Sequence, residues 1–180
     1  MMRLLCTLSL AITVAAAAVT PVAAQTAPAQ GSGAKPGAAA KPAAPATKKA
    51  GMAAGRTIEI TGGDDMKFSV TSIAAKPGEV IRVVLKSVGK IPKVAMGHNF
   101  VALKAGVDAA KFSQDAMTAR DTEYVPASRK ADILAATALA GPGETVEVTF
   151  KAPAKAGSYP YVCTFPGHFA AGMRGDLVVK

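Results

Sequence analysis

The sequence has 180 residues, 21 basic and 12 acidic side chains, and a formal net charge of +9. Four lysines (Lys35, Lys41, Lys48 and Lys49) lie in a segment rich in Ala, Pro, Gly and Ser, and from Arg56 onward 16 basic and 12 acidic residues are scattered along the chain. This near balance argues against nucleic acid as a partner and for an ordinary solvated surface, although the basic segment could lie over an anionic membrane.

The first 24 residues are predicted to be an export signal. Arg3 is followed by an uncharged, mainly apolar run from Leu4 to Val19 and by small residues that end at Ala24, which is typical of a signal peptide cleaved on export. A retained membrane anchor is the alternative, but the run is somewhat shorter than the roughly 20 apolar residues that span a bilayer. The mature protein is therefore expected in the periplasm. Cys6 would be removed with the signal, which leaves Cys163 as the only cysteine.

The segment Gln25–Gly55 is predicted to be a linker or a disordered tail. It contains few large apolar residues, so it cannot bury enough surface to offset the conformational entropy that folding would cost. Its Ala-rich and Pro-rich composition suits a semi-extended spacer. Arg56–Lys180 has the size of one domain with one core.

Short β segments dominate this domain, and Gly and Pro turns such as Lys76–Glu79 and Gly141–Glu144 separate them. The apolar residues from Val107 to Ala119 have the spacing of a short amphipathic helix, and Ile133–Leu139 is compatible with either a strand or a loop. The pattern as a whole predicts an all-β sandwich with a short helical insertion. Alternating or β-branched residues predict seven strands at Arg56–Ile60, Lys67–Ile73, Val80–Ser87, Asn99–Leu103, Thr145–Phe150, Ser158–Val162 and Gly175–Val179.

The candidate metal-binding residues lie at strand ends. His98 stands at the entry to a predicted strand, Cys163 at the end of another, and His168 and Met173 in the loop that leads to the last strand. A thiolate, two imidazoles and a thioether suit a trigonal copper site with a weak axial ligand, because thiolate and thioether favour Cu(I) while imidazole serves both oxidation states.

Each of these residues alone has a simpler explanation. A methionine more often fills a core, a cysteine is often a small buried hydrophobe, and a histidine can be a hydrogen-bonded or surface residue. The simple explanations would require the only mature cysteine and both histidines of the chain to reach strand ends by chance. Zinc is the rival metal, but structural zinc sites use four Cys or His ligands and only three are present.

At these residues the sequence resembles the cupredoxins, and within them azurin and the auracyanins. The resemblance covers nearly all of Arg56–Lys180, includes the stretch Tyr124–Phe150, and is most specific at Met96-Gly97-His98-Asn99 and at Cys163-Thr164-Phe165-Pro166-Gly167-His168. It implies a Greek-key β-sandwich that holds one copper ion. His98, Cys163 and His168 would be its equatorial ligands, Met173 its axial ligand, and the Gly97 carbonyl a weak second axial contact.

The same resemblance implies that Asn99 ties the two ligand segments together through hydrogen bonds, with Thr164 and Phe165 also next to the ligands. The sequence departs from azurin in three ways. Four residues separate His168 from Met173 where azurin has three, as in the auracyanins and plastocyanins, so the Met173 distance and the Gly97 contact are left open. The expected disulfide near the domain start is missing, and the chain has no tryptophan.

The predicted function is single-electron transfer between larger redox proteins, such as a c-type cytochrome and a terminal reductase or oxidase, by a monomer. The electron is expected to pass through the ring edge of His168 near the surface. An apolar docking patch is predicted around it, although the same residues could serve only to pack the loop. The patch consists of Pro92, Met96, Phe169, Ala170 and Ala171.

Two other functions are weighed against electron transfer. A copper carrier or storage protein would have an exchangeable site rich in Met or His, and the ligand segments lack that richness. An enzyme such as a copper reductase or oxidase ranks last. A single domain of this size with no second histidine cluster offers no place for another copper. The protein is therefore predicted not to be an enzyme.

Overall fold

The computed structural model describes residues 55–180. The predicted signal peptide, and the predicted linker up to residue 54, lie outside the described residues. Within residues 55–180, no helix is long and apolar enough to cross a membrane.

Eight strands form two sheets. In chain order the strands are β1 (Arg56–Gly62), β2 (Ser72–Ala75), β3 (Val80–Ser87), β4 (Val101–Leu103), β5 (Ile133–Ala136), β6 (Thr145–Lys151), β7 (Gly157–Val162) and β8 (Arg174–Val179). One sheet has the order β1-β3-β6 and the other β2-β8-β7-β4-β5. The pairs β1–β3 and β2–β8 are parallel, and the other neighbouring strands are antiparallel.

The core lies between the two sheets and explains the strand pattern. In β3, Ile81, Val83 and Leu85 are fully buried and alternate with half-buried residues, as expected for a strand with one face on a core. Both sheets contribute to one buried cluster. The rings of Phe100 and Tyr161 belong to this cluster and lie 4.9 Å apart, so these aromatic residues fill the core without a tryptophan. The predicted all-β sandwich is confirmed.

Short helices occupy the connections between strands. α1 (Lys93–Met96) precedes the first ligand segment. α2 (Ala109–Ala116) is capped by Asp108, whose carboxylate accepts hydrogen bonds from the Ala110 and Lys111 N–H groups and so satisfies donors that the first turn leaves free. Two 3-10 helices follow, Arg120–Thr122 and Ala127–Asp132. α2 is shorter than the predicted Val107–Ala119, and the other three short helices were not predicted.

The predicted strand Lys67–Ile73 is wrong. The observed strand is β2, Ser72–Ala75, and Phe68 makes only an isolated bridge to Gly62. The preceding residues cross from one sheet to the other. Met66 has a left-handed φ of 54°, and the buried Phe68 ring fills the core. The segment therefore has the apolar pattern of a strand although it does not pair as one.

The other boundaries differ less. β4 begins at Val101 and not at Asn99, because the Phe100 N–H bonds to the Thr137 side chain and not to a neighbouring strand. Ile133–Leu139, left open as a strand or a loop, contains β5 over its first four residues.

Candidate metal centre

The candidate ligands lie where strands of the second sheet end or begin. Cys163 directly follows β7, and Met173 directly precedes β8. The Cys163 N–H donates to the Met173 carbonyl at 3.0 Å, and the Met173 N–H donates to the His168 carbonyl at 2.9 Å. His98 comes from the other segment and pairs with Ala140 through two backbone hydrogen bonds of 2.9 and 2.7 Å. Backbone hydrogen bonds therefore position both ligand segments without the help of a metal ion.

Three donor side chains meet in one place. Donor atoms of His98, Cys163 and His168 all lie within 4.8 Å of one another. The Cys163 Sγ is 3.4 Å from the His168 Nδ1, and the two imidazole ring centroids are 5.0 Å apart. His98 and Cys163 are fully buried and His168 is 1 % exposed.

The residues fit a metal ion. Among the described residues, three buried side-chain nitrogen or oxygen atoms have no hydrogen-bond partner, and two of them are the Nδ1 and Nε2 of His98. A buried polar atom without a partner is costly. A metal ion coordinated by one of these nitrogens would remove part of that cost. A thiol and two imidazoles are also the donor set preferred by copper at redox sites.

Met173 is fully buried beside these residues. A Cβ added at Gly62 would lie 2.6 Å from the Met173 Cε and 3.3 Å from the His98 Cγ, so the end of the Met173 side chain and the His98 ring both pack against Gly62. The Gly97 carbonyl lies on the other segment, 4.0 Å from the Cys163 Sγ. Both residues therefore border the cluster, and their roles toward a metal remain predictions.

Asn99 connects the two ligand segments. Its Oδ1 accepts from the Thr164 N–H at 2.9 Å, and its Nδ2 donates to the Thr164 Oγ1 at 2.8 Å. Asn99 and Thr164 are buried, so these hydrogen bonds have little competition from water. Phe165 packs on the His168 ring at a centroid distance of 4.8 Å.

Glu123 is a site residue that sequence reasoning missed. Its carbonyl accepts from the Asn99 Nδ2 at 3.1 Å, and its carboxylate accepts from the Leu139 N–H at 3.0 Å. Its φ of 54° is left-handed, an uncommon conformation for a residue with a side chain. The sequence carries no signal for it, because such a backbone usually selects Gly or Asn.

Two contacts at the ligand loop were also missed. The Lys67 ammonium donates to the Ala171 carbonyl in the stretch between His168 and Met173. Gly172, with a φ of 96°, stands next to it, and a Cβ at this position would lie 2.6 Å from the Lys67 Nζ. Gly62 was likewise not identified from the sequence as a contact of the candidate ligands.

Burial sets the protonation of the metal-free site. It raises the pKa of Cys163 to about 11, although the backbone N–H groups of Asn99 and Phe165 oppose the shift. It also lowers the pKa of His168 to about 4, assisted by repulsion from His98, and lowers the pKa of His98, opposed by Asp64 and Asp65. Near neutral pH both imidazoles are therefore neutral and ready to coordinate, while Cys163 must release a proton on metal binding.

The predicted docking residues differ in exposure. Pro92 and Ala170 are exposed, while Met96, Phe169 and Ala171 are partly buried. The Phe169 ring also lies under the Arg174 guanidinium at 5.0 Å. The His168 ring edge was expected near the surface, and the side chain itself is almost completely covered. With 1 % of His168 exposed, the ring lies beneath the surface because Phe165 and His98 pack against it.

Comparison with known proteins gives a consistent result. The sequence profile of the family described as copper binding proteins, plastocyanin/azurin family, matches residues 54–180. The chain is 36 % identical to Auracyanin-B of Chloroflexus aurantiacus over 126 residues, which is 69 % of this chain and 52 % of that protein. It thus spans about half the length of this relative. It is also 36 % identical over 123 residues to azurin of Alcaligenes faecalis, covering 67 % of this chain and 94 % of azurin.

A solved structure shows the same similarity. Auracyanin A, described as a "blue" copper protein from the green thermophilic photosynthetic bacterium Chloroflexus aurantiacus, superposes with a TM-score of 0.60 at 37 % identity. The match covers 69 % of this chain and 98 % of that one. At this level of identity the similarity extends to sequence as well as to fold.

Proposed function

The chain belongs to the plastocyanin/azurin family of copper-binding proteins, and on this premise we propose that it carries single electrons between redox proteins. The copper ion would be held by His98, Cys163 and His168, with Met173 as a weak fourth ligand and the Gly97 carbonyl as a further weak contact. When bound, copper supplies a one-electron change between Cu(II) and Cu(I).

The burial of the donor atoms is the observation that carries this proposal. His98, Cys163 and Met173 are 0 % exposed and His168 is 1 % exposed. A substrate would need an open position at the metal, and these side chains leave little access to one. An electron needs no such opening. Buried donors therefore favour electron transfer over catalysis at the metal.

The chain's own residues limit how far the site can rearrange. The loop from Cys163 to Met173 is closed by backbone hydrogen bonds between its two ends, and Asn99 joins it to the His98 segment. Donors that are already fixed cannot relax fully toward the geometry preferred by either oxidation state. This restraint is expected to keep the reorganisation on electron transfer small.

His168 provides the proposed route to a partner. It is flanked along the chain by the exposed Gly167 and the partly buried Phe169, so only a thin layer of loop separates its ring from the surface. A partner that docks on the apolar patch defined above would cover this layer. The proposed partners are a c-type cytochrome and a terminal reductase or oxidase, met in short-lived encounters by a monomeric protein.

We place the protein in the periplasm, on the strength of the predicted signal at residues 1–24. A copper carrier or storage protein is the alternative, and nothing in the site favours it over electron transfer. A carrier must release its ion, whereas each of these donor residues is at most 1 % exposed.

Copper retention during redox cycling tests the proposal. Copper-loaded protein should be reduced and reoxidised reversibly by one electron, and it should keep its copper when each oxidation state is dialysed against a chelator. Loss of copper from the reduced protein would favour the carrier instead.

A further inference from the structure

The end of the sandwich opposite the metal centre carries a separate feature. β1 begins at this end with Arg56 and finishes at Gly62, which contacts Met173 and His98. β7 begins at the same end and β8 finishes there, and the ligand loop connects the other ends of these two strands. Six or seven residues at about 3.3 Å each put this far end roughly 20 Å from the ligands. We call it the basic pole. It comprises Arg56, the turn Lys76–Glu79, Lys151, the turn 152–156 with Lys155, and Lys180.

Pairing between strands brings these residues together. Lys151 is the register partner of Val80, and the Lys180 N–H donates to the Ala75 carbonyl at 3.0 Å. An open surface cavity of about 640 Å³ is lined by Arg56, Lys76, Glu79 and Lys180. Residues far apart in the sequence therefore share one surface.

The charge of the domain is concentrated there. Of the 16 basic and 12 acidic residues from Arg56 onward, the pole holds five basic residues and one acidic residue, which leaves 11 of each for the rest of the domain. The acidic residue, Glu79, is paired with Arg56 at 2.6 Å. Within the described part of the chain, the four pole lysines make no ion pairs and are exposed.

The preceding basic segment is joined to the domain at this pole. Lys48 and Lys49 precede Arg56 by eight and seven residues in the sequence, a contour length of at most roughly 28 Å.

We propose that the basic pole binds an anionic membrane surface. Its lysines are long, exposed and spread over several turns, which suits a diffuse layer of anionic lipid headgroups better than one discrete anion. The attraction acts over about one Debye length, roughly 8 Å at physiological ionic strength. Charges near the ligand loop, roughly 20 Å from the bound face, therefore contribute little to it. The bound protein turns its ligand loop away from the lipid and toward soluble partners.

Vesicle binding of matched variants tests this surface. The exported, copper-loaded protein with its N-terminal segment is sedimented with phosphatidylcholine vesicles that contain or lack phosphatidylglycerol, at low and at high salt. The pole variant is Lys76→Gln/Lys151→Gln. The control, Lys86→Gln/Lys90→Gln, removes the same charge near the other end of the sandwich. Visible absorption and urea unfolding verify that both variants are folded and loaded.

We expect the parent to bind only the anionic vesicles and to be released by salt. Each basic residue at such a surface strengthens binding about fivefold, so the pole variant should bind at least about tenfold more weakly, while the control should change less than about twofold. Equal losses in both variants, or no binding of the parent to anionic vesicles, would overturn the proposal. So would a loss seen only after Lys48→Gln/Lys49→Gln, because the preceding segment alone would then account for binding.

Discussion

Replacing Asn99 with leucine tests whether the link between the two ligand segments stabilises the fold. The substitution keeps a side chain of similar size but removes hydrogen bonds to the Thr164 N–H at 2.9 Å, the Thr164 Oγ1 at 2.8 Å and the Glu123 carbonyl at 3.1 Å. Each bond contributes about 1 kcal/mol net, and a buried donor left without a partner costs about 1–3 kcal/mol more. The free energy of unfolding of the metal-free protein should therefore fall by about 4–6 kcal/mol.

A double-mutant cycle with Thr164→Val isolates the contact between the two side chains. Thr164→Val removes only the hydroxyl, which bonds to the Asn99 Nδ2 at 2.8 Å and to its Oδ1 at 3.1 Å. It should cost about 1–2 kcal/mol on its own, because the Thr164 N–H keeps its bond to Asn99. The coupling free energy between the two substitutions should be about 1 kcal/mol, as expected for directly contacting residues.

Urea unfolding of the parent, both single variants and the double variant provides the four free energies, with similar m-values required for the comparison. A loss below about 1 kcal/mol for Asn99→Leu, or strictly additive effects, would refute the argument, because the two segments would then be held together by other contacts.

Three further predictions address the ligand, the docking patch and the N-terminal segment. Met173→Leu should keep copper and its colour but raise the reduction potential measured by voltammetry, since loss of a weak thioether donor disfavours Cu(II); an unchanged potential would mean that Met173 does not approach the metal. Ala170→Asp should leave the spectrum unchanged but slow electron self-exchange at least about tenfold, because an unpaired carboxylate buried in an interface costs a few kcal/mol. The control Ala154→Asp, exposed at the basic pole, should not slow it. Equal rates for Ala170→Asp and the parent would rule out the docking patch. Deletion of Gln25–Gly55 should leave copper binding and the melting temperature nearly unchanged, and a large loss of stability would show that this segment packs on the domain.

Local patterns predicted the parts of the fold that depend on local chemistry. The strand Val80–Ser87 was predicted with its observed bounds, because its apolar residues alternate along one buried face. The family resemblance and the copper cofactor were confirmed by the comparisons. The sequence motifs also led to His98, Cys163 and His168, which the structure brings together.

Features that depend on contacts between distant segments could not be predicted. Phe68 gave its segment the pattern of a strand although the chain crosses between sheets there. The left-handed Glu123 and the contact of Gly62 with Met173 leave no mark in the local sequence, because both arise where separate segments meet. The concentration of positive charge at one end of the domain could not be predicted for the same reason. The basic residues are scattered in the sequence, and only strand pairing brings them together.

Titration of the metal-free protein with Cu(II), followed by visible absorption, tests the central claim that one copper ion binds at Cys163 and its neighbours. Copper bound at this site should give an intense band toward the red end of the spectrum, from charge transfer between the Cys163 thiolate and copper, which saturates at one equivalent. The band should be absent in Cys163→Ser, which should remain folded, because a hydroxyl cannot replace the thiolate. Saturation at a different stoichiometry, or an intense band that persists in Cys163→Ser, would contradict a single copper site at Cys163.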